Sequence, residues 1–185
     1  MNKLRNKMVA CFMALVMVMG FATVAQTTTT VQAKKSYNAF LYYTNSDWSC
    51  KNQSDWIANT SVKNKKGKKR YTVTLKRSDC IGESIANKAK EGPVSDHEEI
   101  SVYIQDIIKD HAEKNLKVSN IVVKCDGKKV KIKQSKVKKY VQKSEDGSKS
   151  YVLMLYYVYG SQSAKAKAFK WSDKISVSFD LNIKK

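Results

Sequence analysis

The chain has 185 residues, with 35 Lys or Arg against 16 Asp or Glu, for a formal net charge of +19 at pH 7. A charge this high predicts attraction to polyanions. Almost all of it is lysine, whereas bidentate phosphate recognition favours arginine, so specific nucleic-acid readout is not expected.

The N-terminus reads as an export leader. Lys3, Arg5 and Lys7 precede an uncharged, mostly apolar run from Met8 to Phe21, and Val31-Gln32-Ala33 supplies a small-x-small exit. That order defines a secretory signal peptide over residues 1–33, with Ala25 as the second choice of cut. The run is about 14 residues, short of the roughly 20 that a spanning helix needs. Cys11 precedes most of the apolar stretch, which argues against a lipoprotein. Residues 34–185 are then one secreted, extracellular domain with no transmembrane segment, possessing 32 basic and 16 acidic residues, a net charge of +16.

The remainder alternates strand patterns with polar turns. Tyr37–Thr44 reads as a strand with Ala39, Leu41 and Tyr43 on one face and Phe40 and Tyr42 on the other. Residues 45–56 form a polar, aromatic loop, Ile57–Val62 a weak strand, Lys63–Arg70 a basic turn around Gly67, and Tyr71–Leu75 an alternating strand. Residues 81–93 read as a connection with room for a helical turn. Ile100–Asp106 reads as a strand, 107–114 as a short helical turn and Leu116–Cys125 as another strand. Asp126-Gly127, between two strand patterns, is the strongest hairpin signal, because a type I′ turn needs positive φ at both central residues. Tyr140–Gln142 is a short strand, Ser144–Ser150 a turn, and Ser150–Tyr159 a long apolar strand. Ile175, Val177, Phe179, Leu181 and Ile183 alternate with polar residues in the last strand. Several short strands in one domain predict an all-β, jelly-roll-like sandwich with one or two helical turns. The first and last strands are expected to be neighbours in one sheet.

Three cysteines remain after the leader: Cys50, Cys80 and Cys125. They allow one internal bridge at most, and spacing does not choose among the three pairs. A link between Cys50 and Cys80 would join two strand ends.

No catalytic motif is present: neither G-x-S-x-G, a P-loop, G-x-G-x-x-G nor H-E-x-x-H. His97 and His111 lie in charged segments and are expected to be solvated. No zinc spacing occurs. Asp96, Glu98, Glu99, Asp106 and Asp110 lack the spacing of a calcium loop. The expectation is a protein without enzymatic activity, metal or cofactor.

Two features point to binding. Trp48 and Trp56 lie in one loop with Asp47, Asn52 and Gln53, a composition suited to stacking on a sugar face while amides and carboxylates bond its hydroxyls. Trp171 instead reads as packing before the last strand. The second feature is two basic runs. Lys65, Lys66, Lys68, Lys69 and Arg70 crowd the turn around Gly67. Lys129, Lys131 and Lys133 share one face of a strand. Such lysines grip a polyanion or protect a sheet edge from pairing.

Ala39-Phe40-Leu41-Tyr42-Tyr43 leading into Asn45-Ser46-Asp47-Trp48, the Asp126-Gly127 hairpin, Leu153-Met154-Leu155-Tyr156-Tyr157 and Ile175-Ser176-Val177-Ser178-Phe179 together resemble carbohydrate-binding-like β-sandwich modules of secreted proteins from Gram-positive anaerobes. The resemblance covers most of residues 37–183 and implies a jelly roll without catalysis. Such modules are often neutral or acidic, and the basic charge here departs from them. The expected function is glycan recognition through the loop aromatics. The alternative is a basic cell-envelope protein held by charge on anionic wall polymers.

Overall fold

A computed structural model describes residues 36–84 and 86–184. The leader assigned to residues 1–33 lies outside them. The described part is an all-β sandwich of two antiparallel sheets, as the strand patterns predict.

One sheet has six strands. β1 (Ser36–Thr44) pairs with β2 (Lys51–Asn52) and β3 (Asn59–Lys63) along one side and with β5 (Glu99–Gln105) on the other. β5 pairs with β9 (Lys149–Tyr157), which pairs with the edge strand β8 (Lys138–Lys143). The second sheet runs β4 (Gly67–Lys76), β10 (Lys174–Ile183), β6 (Leu116–Cys125), β7 (Lys128–Val130). Helical structure among the described residues is one turn, α1 (Ile107–Asp110), and a few 3₁₀ turns. None of it is long and apolar enough to cross a membrane.

Strand alternation explains the core. Ala39, Leu41 and Tyr43 of β1 and Val102 and Ile104 of β5 point inward, as do Val73 and Leu75 of β4 and Ile175, Val177, Phe179 and Leu181 of β10. At about 25 cal/mol per Å² of apolar surface removed from water, this cluster is the main source of stability. The Asp126-Gly127 turn forms as expected, with φ of 48° and 80°. The Asp126 carboxylate also accepts from the backbone N–H groups of Ser172, Asp173 and Lys174 at 2.8, 2.8 and 3.0 Å, anchoring the entry to β10.

Four expectations are corrected. β1 and β10 lie in different sheets, not side by side; alternation identifies a strand's inward face but not which sheet receives it. The basic turn is short, because β4 begins at Gly67 and carries Lys68, Lys69 and Arg70 into the ladder opposite Asn182, Leu181 and Asp180. Residues 81–93 form no helix among the described residues but do hold one hydrogen-bonded turn, Asn87 N–H to the Ser84 carbonyl at 3.0 Å, with bends and bridges of Ile81 to Lys51 and Lys88. His97 is not solvated: it is 1% exposed. Its Nδ1 lies 2.8 Å from the Tyr43 hydroxyl, and Trp171 Nε1 donates to that hydroxyl at 3.2 Å. The indole N–H can only donate, and the His97 Nε2 is buried with no hydrogen-bond partner among the described residues. His111 is half-buried, bonded through Nε2 to Asn64 Oδ1 at 2.7 Å and edge-on to Tyr37.

Burial lowers the His97 pKa from 6.5 to about 4, with Asp96 opposing the shift. Between those values the unfolded chain takes a proton that the folded domain refuses. Stability is therefore complete above pH 6.5 and falls as pH drops toward 4, by about 3 kcal/mol in total. Chemical denaturation between pH 7 and 4.5 should show this slope, and His97→Gln should abolish it. An unchanged slope in the variant would assign the dependence elsewhere.

Candidate functional site: a tyrosine face on the six-stranded sheet

The two loop tryptophans are both at the surface, Trp48 at 42% and Trp56 at 76% exposure, but they do not form one platform. Trp48 lies in the turn that follows β1 and has a φ of 57°. Its Nε1 donates to Glu98 Oε2 at 2.6 Å, and the Lys51 ammonium sits 5.0 Å from the ring centroid. Trp56 lies near the other end of β1, where the adjacent Asp55 carbonyl accepts from Asn38 Nδ2 at 2.6 Å. Asn38 and Asn45 are about 20 Å apart at the rise of an extended strand.

The polar residues of that loop divide into builders and surface groups. Asp47 caps the turn, accepting from Asn45 Nδ2 at 2.7 Å and the Ser49 N–H at 3.1 Å, and pairs with Lys90 at 2.9 Å. Its bonds to Ser49 and then Lys90 hold the carboxyl well below the usual range. Asn52 is buried, and its amide donates to the Leu41 carbonyl at 2.6 Å, so it braces the loop rather than facing solvent. Gln53 is exposed, and its Nε2 donates to the Tyr42 hydroxyl at 2.9 Å.

That bond leads to the more organised surface, the outer face of the six-stranded sheet. Register sets out its rows: Phe40, Tyr103, Val152 and Tyr140 align across β1, β5, β9 and β8. Tyr42, Ser101, Met154 and Lys138 form the next row, and Gln105, Ser150 and Gln142 flank the first on its other side. Tyr103 stacks on Phe40 at 5.3 Å between ring centroids and tilts against Tyr42 at 5.4 Å. Val152 is fully buried beneath this layer. Apart from Val152, Ser101 and Lys138, the residues of these rows line, with Gln53, Glu99 and Tyr157, a depression of about 480 Å³. It runs into a second of about 630 Å³ that shares Tyr140, Met154 and Tyr157 and ends at Lys138, Lys139 and the exposed Tyr159. Four strands span about 15 Å, so the result is a long trough across the sheet, floored by aromatics and rimmed by amides.

The trough carries few charges, Glu99 within it and Lys138 and Lys139 at one end. Glu99 is the one carboxylate lining the 480 Å³ depression. Burial raises its pKa, opposed by hydrogen bonds from Ser101 and Tyr103. Burial and then Glu99 raise the Tyr103 phenol, so it stays a neutral donor, directed at Gln142 Oε1 at 3.1 Å. The loop connects here as well, since Gln105 Nε2 donates to Asp55 Oδ2 at 2.9 Å.

The opposite outer face is different in kind. On the four-stranded sheet Lys124 stands directly across from Lys129, and Lys76 from Lys174, all four exposed. Asp180 lies between the edges, bound by Asn120 at 2.7 Å, Lys68 at 3.1 Å and Arg70 at 2.9 Å, and these hold its pKa at about 2. Lys68 and Arg70 therefore have a carboxylate of their own. Lys65 and Lys66 are exposed in the turn before β4. Lys129 belongs to β7 at the far edge of the sheet from β4, and Lys131 and Lys133 follow it, both exposed. The two basic runs thus occupy opposite edges of one sheet.

Among the described residues no group of three or more His, Cys, Asp or Glu stands together as a metal site. No family model, curated protein or solved structure matches this chain.

Proposed function

We propose that the chain is a non-enzymatic binding module whose tyrosine trough takes a neutral polysaccharide. The observation that carries this reading is the combination of the aligned Phe40, Tyr42, Tyr103 and Tyr140 rings with the Gln53, Gln105 and Gln142 amides around them. Aromatic faces cover the C–H face of a sugar ring, and amides, which both donate and accept, match its hydroxyls. The trough's length suits several linked rings. Secretion and a place at the cell surface belong to the same proposal and follow from the leader pattern. Trp48 and Trp56 stand outside the tyrosine floor, at the loop ends beside it. The test is titration of the protein with soluble neutral oligosaccharides, followed by tryptophan and tyrosine emission and by calorimetry.

A second reading is supported by the cross-strand lysine pairs. Like charges directly opposite in a sheet repel; Lys174 has Asp173 at 3.7 Å, and a polyanion laid over Lys124 and Lys129 relieves the repulsion between those two. On this reading the basic face holds the protein on an anionic wall polymer while the tyrosine face stays free. Lys124→Ser with Lys129→Ser should weaken retention on anionic polymer at 0.1 M salt, where the Debye length is about 10 Å, and make little difference at 1 M, where it is about 3 Å. Equal retention by variant and parent at 0.1 M would remove this face from the account.

A further inference from the structure

Two thiols meet inside the sandwich at a place neither binding face uses. Lys51 and Ile81 exchange both backbone hydrogen bonds, at 2.9 and 3.0 Å. The residues just before them, Cys50 and Cys80, therefore share one face of this short antiparallel bridge. Cys50 is 0% and Cys80 is 7% exposed; the two thiols act on one another, lowering the pKa of Cys50 and raising that of Cys80 with Arg77 near both, and the Cys80 thiol donates to the Lys76 carbonyl at 3.9 Å. The backbone on each side is pinned, with Cys50 N–H donating to Asn45 Oδ1 at 2.8 Å and Cys80 N–H to the Arg77 carbonyl at 3.2 Å. Cys125 is engaged elsewhere, its thiol donating to the Phe169 carbonyl at 3.3 Å.

We propose that Cys50 and Cys80 form a disulfide when the chain meets a small disulfide oxidant, and that this bond ties the two sheets together. Cys80 follows β4 of the four-stranded sheet by a single 3₁₀ turn, and Cys50 immediately precedes β2 of the six-stranded sheet. The bond closes the loop that contains Trp48's neighbour Lys51, the trough residue Gln53 and Trp56. Cys80 lines an open depression of about 320 Å³ with Arg77, Lys88, Lys90 and Glu91, so its sulfur is the one reached from solvent, and three cations against one carboxylate favour an anionic disulfide such as oxidised glutathione. Cys50 and burial raise the Cys80 pKa, so it is the small deprotonated fraction of Cys80 that attacks one sulfur of that disulfide and expels one glutathione thiolate, which takes up the proton Cys80 lost. The Cys50 thiolate then attacks the Cys80 sulfur and expels the second glutathione, which takes up the proton of Cys50. Two electrons and two protons leave the protein, and two glutathione thiols are formed.

The experiment equilibrates the purified chain in reduced and oxidised glutathione, unfolds it in acid, alkylates it and maps the peptides. In the oxidised sample Cys50 and Cys80 should escape alkylation and appear in one cross-linked peptide, while Cys125 takes the label. The oxidised protein should melt about 5–15 °C above the reduced protein. Cys125→Ser should keep that difference, and the pair Cys50→Ala, Cys80→Ala should lose it. Full labelling of Cys50 and Cys80 at an oxidising poise overturns the proposal, as does a cross-link from either to Cys125. Glutathione is the only ligand in this test, so its failure leaves the polysaccharide reading untouched.

Discussion

Trp171→Ala is expected to unfold the domain or bring it close to unfolding, whereas Trp56→Ala should hardly disturb it. Trp171 is fully buried and is the largest such side chain among the described residues. Its ring meets the edge of Tyr43 at 5.3 Å, its N–H holds the Tyr43 hydroxyl, and Arg77 lies 5.9 Å from its centroid. Its backbone is paired with Val94 in both directions, at 3.0 and 2.8 Å, so the void cannot close by collapse. Truncating a buried Trp costs about 3–5 kcal/mol, a large part of the roughly 5–15 kcal/mol that holds a domain folded. Trp56 is mostly exposed, and its truncation should stay within about 0.5 kcal/mol. Urea titrations of the two variants check the contrast. A Trp171→Ala protein as stable as the parent would contradict the placement of this residue at the centre of the core.

The second large effect concerns binding. Tyr140→Ala and Tyr157→Ala each remove a ring that lines both depressions of the trough. Covering one such ring with a ligand contributes about 1.5–2 kcal/mol, so each truncation should weaken oligosaccharide binding about 10–30-fold. The double variant should fall below detection. Both side chains are half-exposed, and the melting temperature should move by only a few degrees. Tyr103→Phe keeps the ring and removes only the hydroxyl bonded to Gln142, so it should lose much less affinity than the alanine variants. Binding that survives in the double variant would move the ligand away from this face.

The strands were legible because period-two alternation is a direct consequence of one buried face. β6 matches its expected bounds, and the Asp-Gly hairpin follows from the φ values its turn type demands. The tyrosine trough was not legible, for two identifiable reasons. On β1, alternation separates Ala39, Leu41 and Tyr43 from Phe40 and Tyr42, but an outward aromatic pair becomes a surface only when other strands bring Tyr103 and Tyr140 alongside. On β9, the register slips opposite Ile100 and Ser101. Strict alternation from Leu153 and Leu155 would turn Tyr157 inward. The slip instead buries Tyr156 and sends Tyr157 out to the trough, and nothing local announces such a bulge. His97 was misread for a related reason. Its neighbours Asp96, Glu98 and Glu99 are charged, but the chain drops one side chain between the sheets to reach Tyr43. Of the polar residues the sequence singles out beside the loop tryptophans, Gln53 touches the trough, whereas Asp47 and Asn52 build the loop.

The most direct measurement is calorimetric titration of the wild-type protein and the Tyr140→Ala, Tyr157→Ala variant with a panel of neutral and anionic oligosaccharides at 0.1 M and 1 M salt. The account predicts a neutral glycan whose affinity for the wild type barely changes with salt, because stacking is not screened as charge attraction is, and whose binding is lost in the variant. Binding only to anionic polymers, abolished at 1 M salt and equal in both proteins, would contradict it.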